Sequence, residues 1–197
     1  PDQKSVLFEY DPSRGGEVPL RLLDGYTKGY LQTDGYVSYH EVCKQYELVA
    51  VGCWDHARRK FKEAQLGQPK TKKEDGKKPK VTKADMALSY INKLYVIERE
   101  CKSKSVEEIL KTRQEKSQPI LDALKQWLDL NRPKVAKEGL TGKAMTYLHN
   151  QWSKLIVYCT DGQLNISNIQ TENAIRPLAV GRKAWLFADT PAGAKAS

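Results

Sequence analysis

Strand-like and helix-like stretches alternate over the first 65 residues, and this alternation limits the possible folds more than any other feature. Short β-branched and apolar runs predict strands, and the segments between them carry helical spacing or end at glycine. The predicted strands are residues 5–10, 29–35 and 48–53, and the predicted helices are residues 19–26, 36–46 and 54–65. Strands that alternate with helices are typical of an α/β fold.

The middle of the chain has a different pattern, because residues 84–160 carry apolar side chains at helical spacing. Ser105 and Glu108 have the spacing of a capping box that opens a second helix, and Pro119 is expected to kink or restart it. The predicted core positions of this region are Leu88, Ile91, Leu94, Tyr95, Met145, Leu148, Trp152, Leu155, Ile156 and Cys159.

A lysine-rich stretch separates the two patterns and sets the predicted domain boundaries. Residues 66–83 hold few apolar side chains to offset the entropy of ordering, which predicts a mobile loop that either contacts phosphates or is simply solvated. Residues 1–65 then form the first part of an α/β core, and residues 84–160 form a helical insertion. Residues 161–197 complete the core with a short helix at 171–175, ended by Pro177, and a strand at 184–187.

Charge and composition indicate the class of partner. The chain has 33 Lys and Arg against 24 Asp and Glu, a net charge of +9, which favours a polyanionic partner; a basic protein without a nucleic-acid role is the alternative. No apolar run approaches the roughly 18 residues of a membrane span, so no membrane association is expected. The four cysteines are scattered, which is typical of reduced, cytosolic thiols.

Two acidic residues are candidates for metal-dependent chemistry. Asp34 ends a predicted strand, where ligands and ions gather in α/β sheets, although on local sequence alone an Asp-Gly turn is the preferred explanation. Glu172 lies on the predicted carboxy-terminal helix, and its alternative interpretation is a surface pair with Arg176, four residues later.

Cysteine, histidine and basic residues form further candidate sites. Cys53 and His56 have a CxxH spacing, which indicates either half of a zinc site or a helix start packed near an active site. Basic clusters flanked by apolar residues can hold DNA phosphates or form a solvated helix face. These clusters are Arg58, Arg59 and Lys60, and Arg182 and Lys183.

Several motifs together resemble the transposases of the insertion sequence 66 family. The opening residues 8–17 (FEYDPSRGGE) match that family, and the resemblance extends over nearly the whole chain. The other motifs that carry it are residues 31–36 (LQTDGY), 53–61 (CWDHARRKF), 172–177 (ENAIRP) and 181–187 (GRKAWLF).

This resemblance implies an RNase H-like mixed sheet with a large helical insertion, and a triad of two aspartates and one glutamate that holds two Mg²⁺ or Mn²⁺ ions. Asp34 is similar to the second aspartate and Glu172 to the glutamate. The implied reaction is metal-assisted cleavage and transfer of transposon-end DNA into target DNA. The family further implies a cytoplasmic, nucleoid-associated homo-oligomer that contacts DNA through Arg58, Arg59, Lys60, Arg176, Arg182 and Lys183.

The sequence departs from the family pattern at two places. No Asp-Glu-Thr motif of the first aspartate is present, so we expect a sheet without its first two strands and a chain truncated at its amino-terminal side and at its carboxy-terminal end. Ser167, Asn168 and Ile169 replace Asp-Asn-Asn before Glu172, with Ser167 expected to cap the helix. We therefore expect little strand transfer, and a non-catalytic DNA-binding remnant of a transposase is the alternative.

Overall fold

The structure is a computed structural model that describes residues 9, 11–13, 15–68 and 81–184. Side chains are described within these ranges except at positions 178, 179 and 182–184. Most of the predicted first strand, most of the lysine-rich segment and residues 185–187 of the predicted last strand lie outside the described residues.

The described chain is mixed α/β and mostly helical, with one small parallel sheet. Its strands are β1 (Gly29–Gln32) and β2 (Leu48–Val51). Its α-helices are α1 (Glu17–Leu22), α2 (Tyr39–Gln45), α3 (Trp54–Leu66), α4 (Lys83–Glu100), α5 (Val106–Thr112), α6 (Gln118–Asn131), α7 (Leu140–Leu155) and α8 (Ile169–Ala184). The predicted alternation of strands and helices up to residue 65 is thus confirmed from α1 onward.

β1 and β2 pair side by side, with α2 as the connection between them. The Lys28 amide donates to the Tyr46 carbonyl at 3.2 Å, and the Thr33 amide donates to the Val51 carbonyl at 3.1 Å. Both pairs have the same offset along the chain, which is the pattern of parallel strands. The carboxyl ends of both strands therefore lie at the same edge of the sheet.

The chain forms two compact units. The first comprises residues 1–31, 36–49 and 168–197, and the second comprises residues 32–35 and 50–167. In the first unit the Tyr46 hydroxyl donates to the Leu20 carbonyl at 2.9 Å, and Val42 of α2 is buried. The turn predicted at residues 11–16 is present, because the Ser13 amide donates to the Asp11 carboxylate at 2.8 Å.

The second unit is built around helix packing. α3 packs against α7 and α4, and α4 packs against α6. Most of the predicted core residues are buried, while Tyr95, Trp152 and Ile156 line the core margin. The largest fully buried side chains of the second unit are Trp54, Tyr158, Phe61, Ile91, Leu94, Leu121, Leu124, Leu128, Met145, Leu148 and Leu155.

Helix starts in the second unit follow from the capping residues. The predicted capping box of Ser105 and Glu108 opens α5, and a second box of Thr82 and Asp85 opens α4. The Gln65 side chain donates to the Asp85 carboxylate at 2.5 Å, which joins the end of α3 to the start of α4. α6 restarts with Pro119 in its first turn, as predicted, after a π-helical turn at Arg113–Ser117.

Arg113 is the most extensively bonded side chain of this π-helical turn. Its guanidinium is only 3% exposed and makes two bonds to the Glu98 carboxylate, at 2.9 and 2.7 Å. It also donates to three carbonyl groups, those of Tyr158, Asp161 and Leu164, at 2.8 to 2.9 Å. Arg113 therefore ties α4 to the segment that follows α7.

The carboxy-terminal helix differs from the prediction in its extent and its cap. α8 continues through Pro177 to Ala184, so the predicted end at Pro177 and the predicted strand at Ala184 are wrong. Proline fixes φ near its helical value and removes only one amide donor, so a helix can continue past it at a cost. Asn168 rather than Ser167 takes the cap position, because its carbonyl accepts from the Thr171 and Glu172 amides. Within the described residues, no helix has the length and apolarity required to cross a bilayer.

Candidate functional site

Asp34 lies in the turn that follows β1, at the carboxyl end of the parallel pair. The preceding Gln32 side chain donates to the Asn165 carbonyl at 2.8 Å and to the Gly52 carbonyl at 3.2 Å. Gly35 has a φ of +88°, a conformation that glycine adopts without strain. The chain thus leaves β1 at Gln32, whose side chain is hydrogen-bonded, and turns at Asp34 and Gly35. The Asp34 residue is exposed.

Two side chains of α7 contact this turn. The Tyr147 hydroxyl donates to the Asp34 carbonyl at 2.8 Å. The side chain of Gln151, one helical turn later, lies so close to Gly35 that an added Cβ would meet its amide carbon at 2.9 Å. The helical insertion predicted from sequence therefore supports the candidate acid directly.

The three basic residues of α3 have different surroundings. Arg58 is half-buried, with its guanidinium donating to the Asn92 side chain at 3.2 Å and lying 5.8 Å from the centre of the Tyr95 ring. The Lys60 ammonium lies 4.9 Å from the centre of the Tyr147 ring, a distance typical of a cation–π contact. Arg59 is exposed.

Tyr147 connects the acid to these cations. Burial raises the pKa of the Tyr147 phenol to about 12, with further increases from the charges of Cys53 and Asp34 and an opposing effect of Arg59. The phenol therefore stays protonated at neutral pH and can donate to the Asp34 turn. In the second unit the structure thus brings together three of the predicted site residues, Asp34, Arg59 and Lys60, around one tyrosine.

Cys53 and Trp54 form the start of α3 and pack into the second unit. Cys53 is buried and directly precedes the helix. Trp54 is 0% exposed, its indole N–H donates to the Leu155 carbonyl at 2.9 Å, and its backbone amide donates to the Ile166 carbonyl at 3.1 Å. This arrangement favours the helix-start interpretation of the Cys53 and His56 pair.

Tyr95 of α4 lies on the other side of this helix start. Burial raises the pKa of its phenol, and the neighbouring Asp55 carboxyl raises it further, while Ser167 acts in the opposite direction. The sequence assigned Tyr95 to the core and did not single out Tyr147. Both residues flank apolar helical faces and end in a hydroxyl group. This combination is the sequence feature that could have indicated their polar contacts.

The remaining predicted site residues belong to α8 in the first unit. Glu172 is half-buried in the first turn of the helix, and Arg176 is exposed one turn later. Arg182 and Lys183 lie in the last turn, and their side chains lie outside the described part of the structure. Asp34 belongs to the second unit and Glu172 to the first, and the prediction that they act together stays a prediction.

The donor chemistry of the candidate acids can be compared with the implied ions. Asp34 and Glu172 offer carboxylate oxygens, the donors that Mg²⁺ prefers. Among the residues that the structure describes, no three His, Cys, Asp or Glu side chains form a group that could hold a metal ion. The described acids therefore have suitable chemistry but provide only part of a ligand set.

Comparison with known proteins gives the family of the chain. The chain is 31% identical over 195 residues to "Uncharacterized protein y4hP" and 29% identical over 197 residues to "Uncharacterized protein y4qI", both of Sinorhizobium fredii (strain NBRC 101917 / NGR234). These alignments cover 96% of the chain but 35% and 34% of the relatives, so the chain spans about a third of their length. No solved structure matches the chain. The family described as "Transposase IS66 family" matches residues 1–196, and the chain therefore belongs to the IS66 family of transposases.

Proposed function

We propose that the chain is a catalytic region of a DDE transposase, acting in metal-dependent cleavage and transfer of DNA strands during transposition. The observation that carries this proposal is family membership over residues 1–196. The Asp34 turn and Lys60, which both contact Tyr147, support it, because an acid and a cation around one side chain suit a phosphodiester substrate.

In this proposal Asp34 and Glu172 supply carboxylates to a shared site for Mg²⁺ or Mn²⁺, together with an acid of the Asp-Glu-Thr motif that the printed sequence lacks. When bound, the ions activate the attacking oxygen and stabilise the leaving oxygen. The described residues provide only part of the ligand set for these ions.

The proposed fold is RNase H-like, with residues 1–65 and 161–197 in the core, the lysine-rich residues 66–83 as a loop and residues 84–160 as the insertion. DNA phosphates are proposed to contact Arg58, Arg59, Lys60, Arg176, Arg182 and Lys183. Arg59 is the best placed of the α3 cations, because it is exposed, whereas Arg58 is engaged with Asn92 and Tyr95. The partners are transposon-end and target DNA and further copies of the complete protein.

A second candidate function is DNA binding without catalysis. The net charge of +9 favours it, since electrostatic DNA binding needs no carboxylate. In this case DNA affinity survives the Asp34→Asn and Glu172→Gln substitutions, and no divalent ion binds at these acids.

Iron-mediated cleavage of the polypeptide separates the two functions. Fe²⁺ occupies carboxylate sites of Mg²⁺ type, and with ascorbate and peroxide it cuts the backbone near its ligands. The catalytic proposal predicts cuts near residues 34 and 172, both lost in Asp34→Asn and in Glu172→Gln and both suppressed by excess Mg²⁺.

Asp161→Asn is the matched control for this experiment, because Asp161 is also followed by glycine in a turn. It should leave the cleavage pattern unchanged. The contrary outcome is a cleavage pattern that is the same in both acid variants as in the unsubstituted chain, with unchanged DNA binding in a fluorescence anisotropy titration. This outcome would refute the shared metal site and favour the second candidate.

A further inference from the structure

The Asp34 turn is held by hydrogen bonds from within the turn and from a distant helix. The Gly35 amide donates to the Thr33 hydroxyl at a long 3.3 Å, and Gly35 has a positive φ. The 2.8 Å bond from the Tyr147 hydroxyl to the Asp34 carbonyl is shorter and comes from a distant part of the chain. The backbone conformation at Asp34, and with it the direction of its side chain, therefore depends on α7.

A second contact from the same helix face supports this dependence. Tyr147 and Gln151 are four residues apart on α7, so they share a face of that helix. The end of the Gln151 side chain lies against Gly35, where an added Cβ atom would meet its amide carbon at 2.9 Å. One helix thus contacts the turn at two consecutive residues.

Tyr147 also places positive charge beside the turn. Its ring lies under the Lys60 ammonium at 4.9 Å, and Arg59 is close enough to lower the pKa of its phenol. A cation over an aromatic face is restrained without losing its charge. One side chain therefore contacts both the backbone of the candidate acid and the Lys60 ammonium.

We propose that Tyr147 is a positioning residue that fixes the Asp34 carboxylate for its ligand role and holds Lys60 beside it. The inference rests on the proposed function, since it assigns Tyr147 a role through Asp34. The helical insertion then sets the geometry of the acid site in addition to contributing to the core.

The test is Tyr147→Phe, which removes the hydroxyl and keeps the ring under Lys60. Tyr90→Phe is the matched control, because the Tyr90 ring also lies near a lysine, Lys93 at 5.5 Å, and packs against Trp127. Mn²⁺ binding is measured by electron paramagnetic resonance, and backbone exchange of residues 33–36 is measured by hydrogen–deuterium exchange with mass spectrometry.

We expect Tyr147→Phe to bind Mn²⁺ about 2- to 10-fold more weakly, the range that loss of one hydrogen bond gives, and to exchange faster only around the Asp34 turn. Tyr90→Phe should match the unsubstituted chain in both measurements. Gln151→Ala should weaken Mn²⁺ binding in the same direction, which provides a second variant if Tyr147→Phe loses thermal stability.

The outcomes separate the two proposals. If Asp34→Asn abolishes Mn²⁺ binding while Tyr147→Phe and Gln151→Ala bind as the unsubstituted chain does, the positioning role is wrong and the proposed function stands. If the unsubstituted chain binds no Mn²⁺, or if Asp34→Asn binds it unchanged, both proposals are wrong.

Discussion

Removal of the Arg113 side chain should destabilise the second unit more than any other single truncation of a polar residue described above. Arg113→Ala takes away five hydrogen bonds and leaves the Glu98 carboxylate, 14% exposed, without its cation. Three carbonyl groups that accept from Arg113 lose this donor as well. The substitution therefore removes the partner of a partly buried charge and of several polar groups at once.

The magnitude follows from the cost of breaking a buried ion pair by removing one partner, about 3–5 kcal/mol. The cost of removing one partner of a buried pair already includes the other hydrogen bonds of its side chain, so the three bonds to carbonyl groups add no separate amount. An ordinary domain is stable by only about 5–15 kcal/mol, so the variant should lose a substantial part of its folding free energy.

Urea unfolding monitored by circular dichroism measures this loss. Lys116→Ala is the control, because Lys116 pairs with Glu100 at 2.8 Å but both side chains are about half exposed, at 53% and 46%. Its loss should be below about 1 kcal/mol. Adding Glu98→Gln to Arg113→Ala should recover part of the stability, since the unpaired charge is then removed. Equal losses for Arg113→Ala and Lys116→Ala would show that the guanidinium does not join the helices as described.

Three further predictions concern the start of α3, the cap of α4 and the basic surface. Trp54→Phe should cost about 1–3 kcal/mol in urea unfolding through loss of a buried indole bond, and a larger effect of Trp127→Phe would contradict this. Backbone and side-chain hydrogen bonds from Thr82 lower the pKa of Asp85 below its usual 3.8, so its stabilisation is present at neutral pH and is lost as the pH falls through that lowered pKa. Asp85→Asn should flatten this acid limb of the stability profile, and an unchanged limb would contradict the cap. Arg59→Ala should reduce the slope of log DNA affinity against log salt by about 0.9 in anisotropy titrations, and Arg58→Ala should reduce it less, because the Arg58 guanidinium is engaged with Asn92 and Tyr95.

The elements of the second unit were predictable because their signals are local. Apolar spacing identifies the core faces of α4 and α7, and the Ser105 and Glu108 pair fixes the start of α5. Pro177 shows the limit of such signals, because a proline excludes one hydrogen bond and does not by itself end a helix.

The candidate site was predictable in its residue types and less so in its contacts. Asp34 was predicted as an acid at the end of a strand, and in the structure it follows β1. Its support by Tyr147 joins residues 113 positions apart, and no local pattern encodes such a contact. Arg113 lies in the polar stretch RQEKS, which predicts exposure, and its burial depends on Glu98 of another helix.

The bond between Gln65 and Asp85 has a consequence for protein engineering. The bond joins the end of α3 to the start of α4. Both of its residues lie outside the lysine-rich sequence between the two helices. The entropy of closing such a loop grows only with the logarithm of its length, so doubling the intervening length costs about 0.6 kcal/mol. An affinity tag or a fluorescent reporter inserted between these two helices should therefore leave their packing intact, which makes this segment the preferred attachment point on the chain.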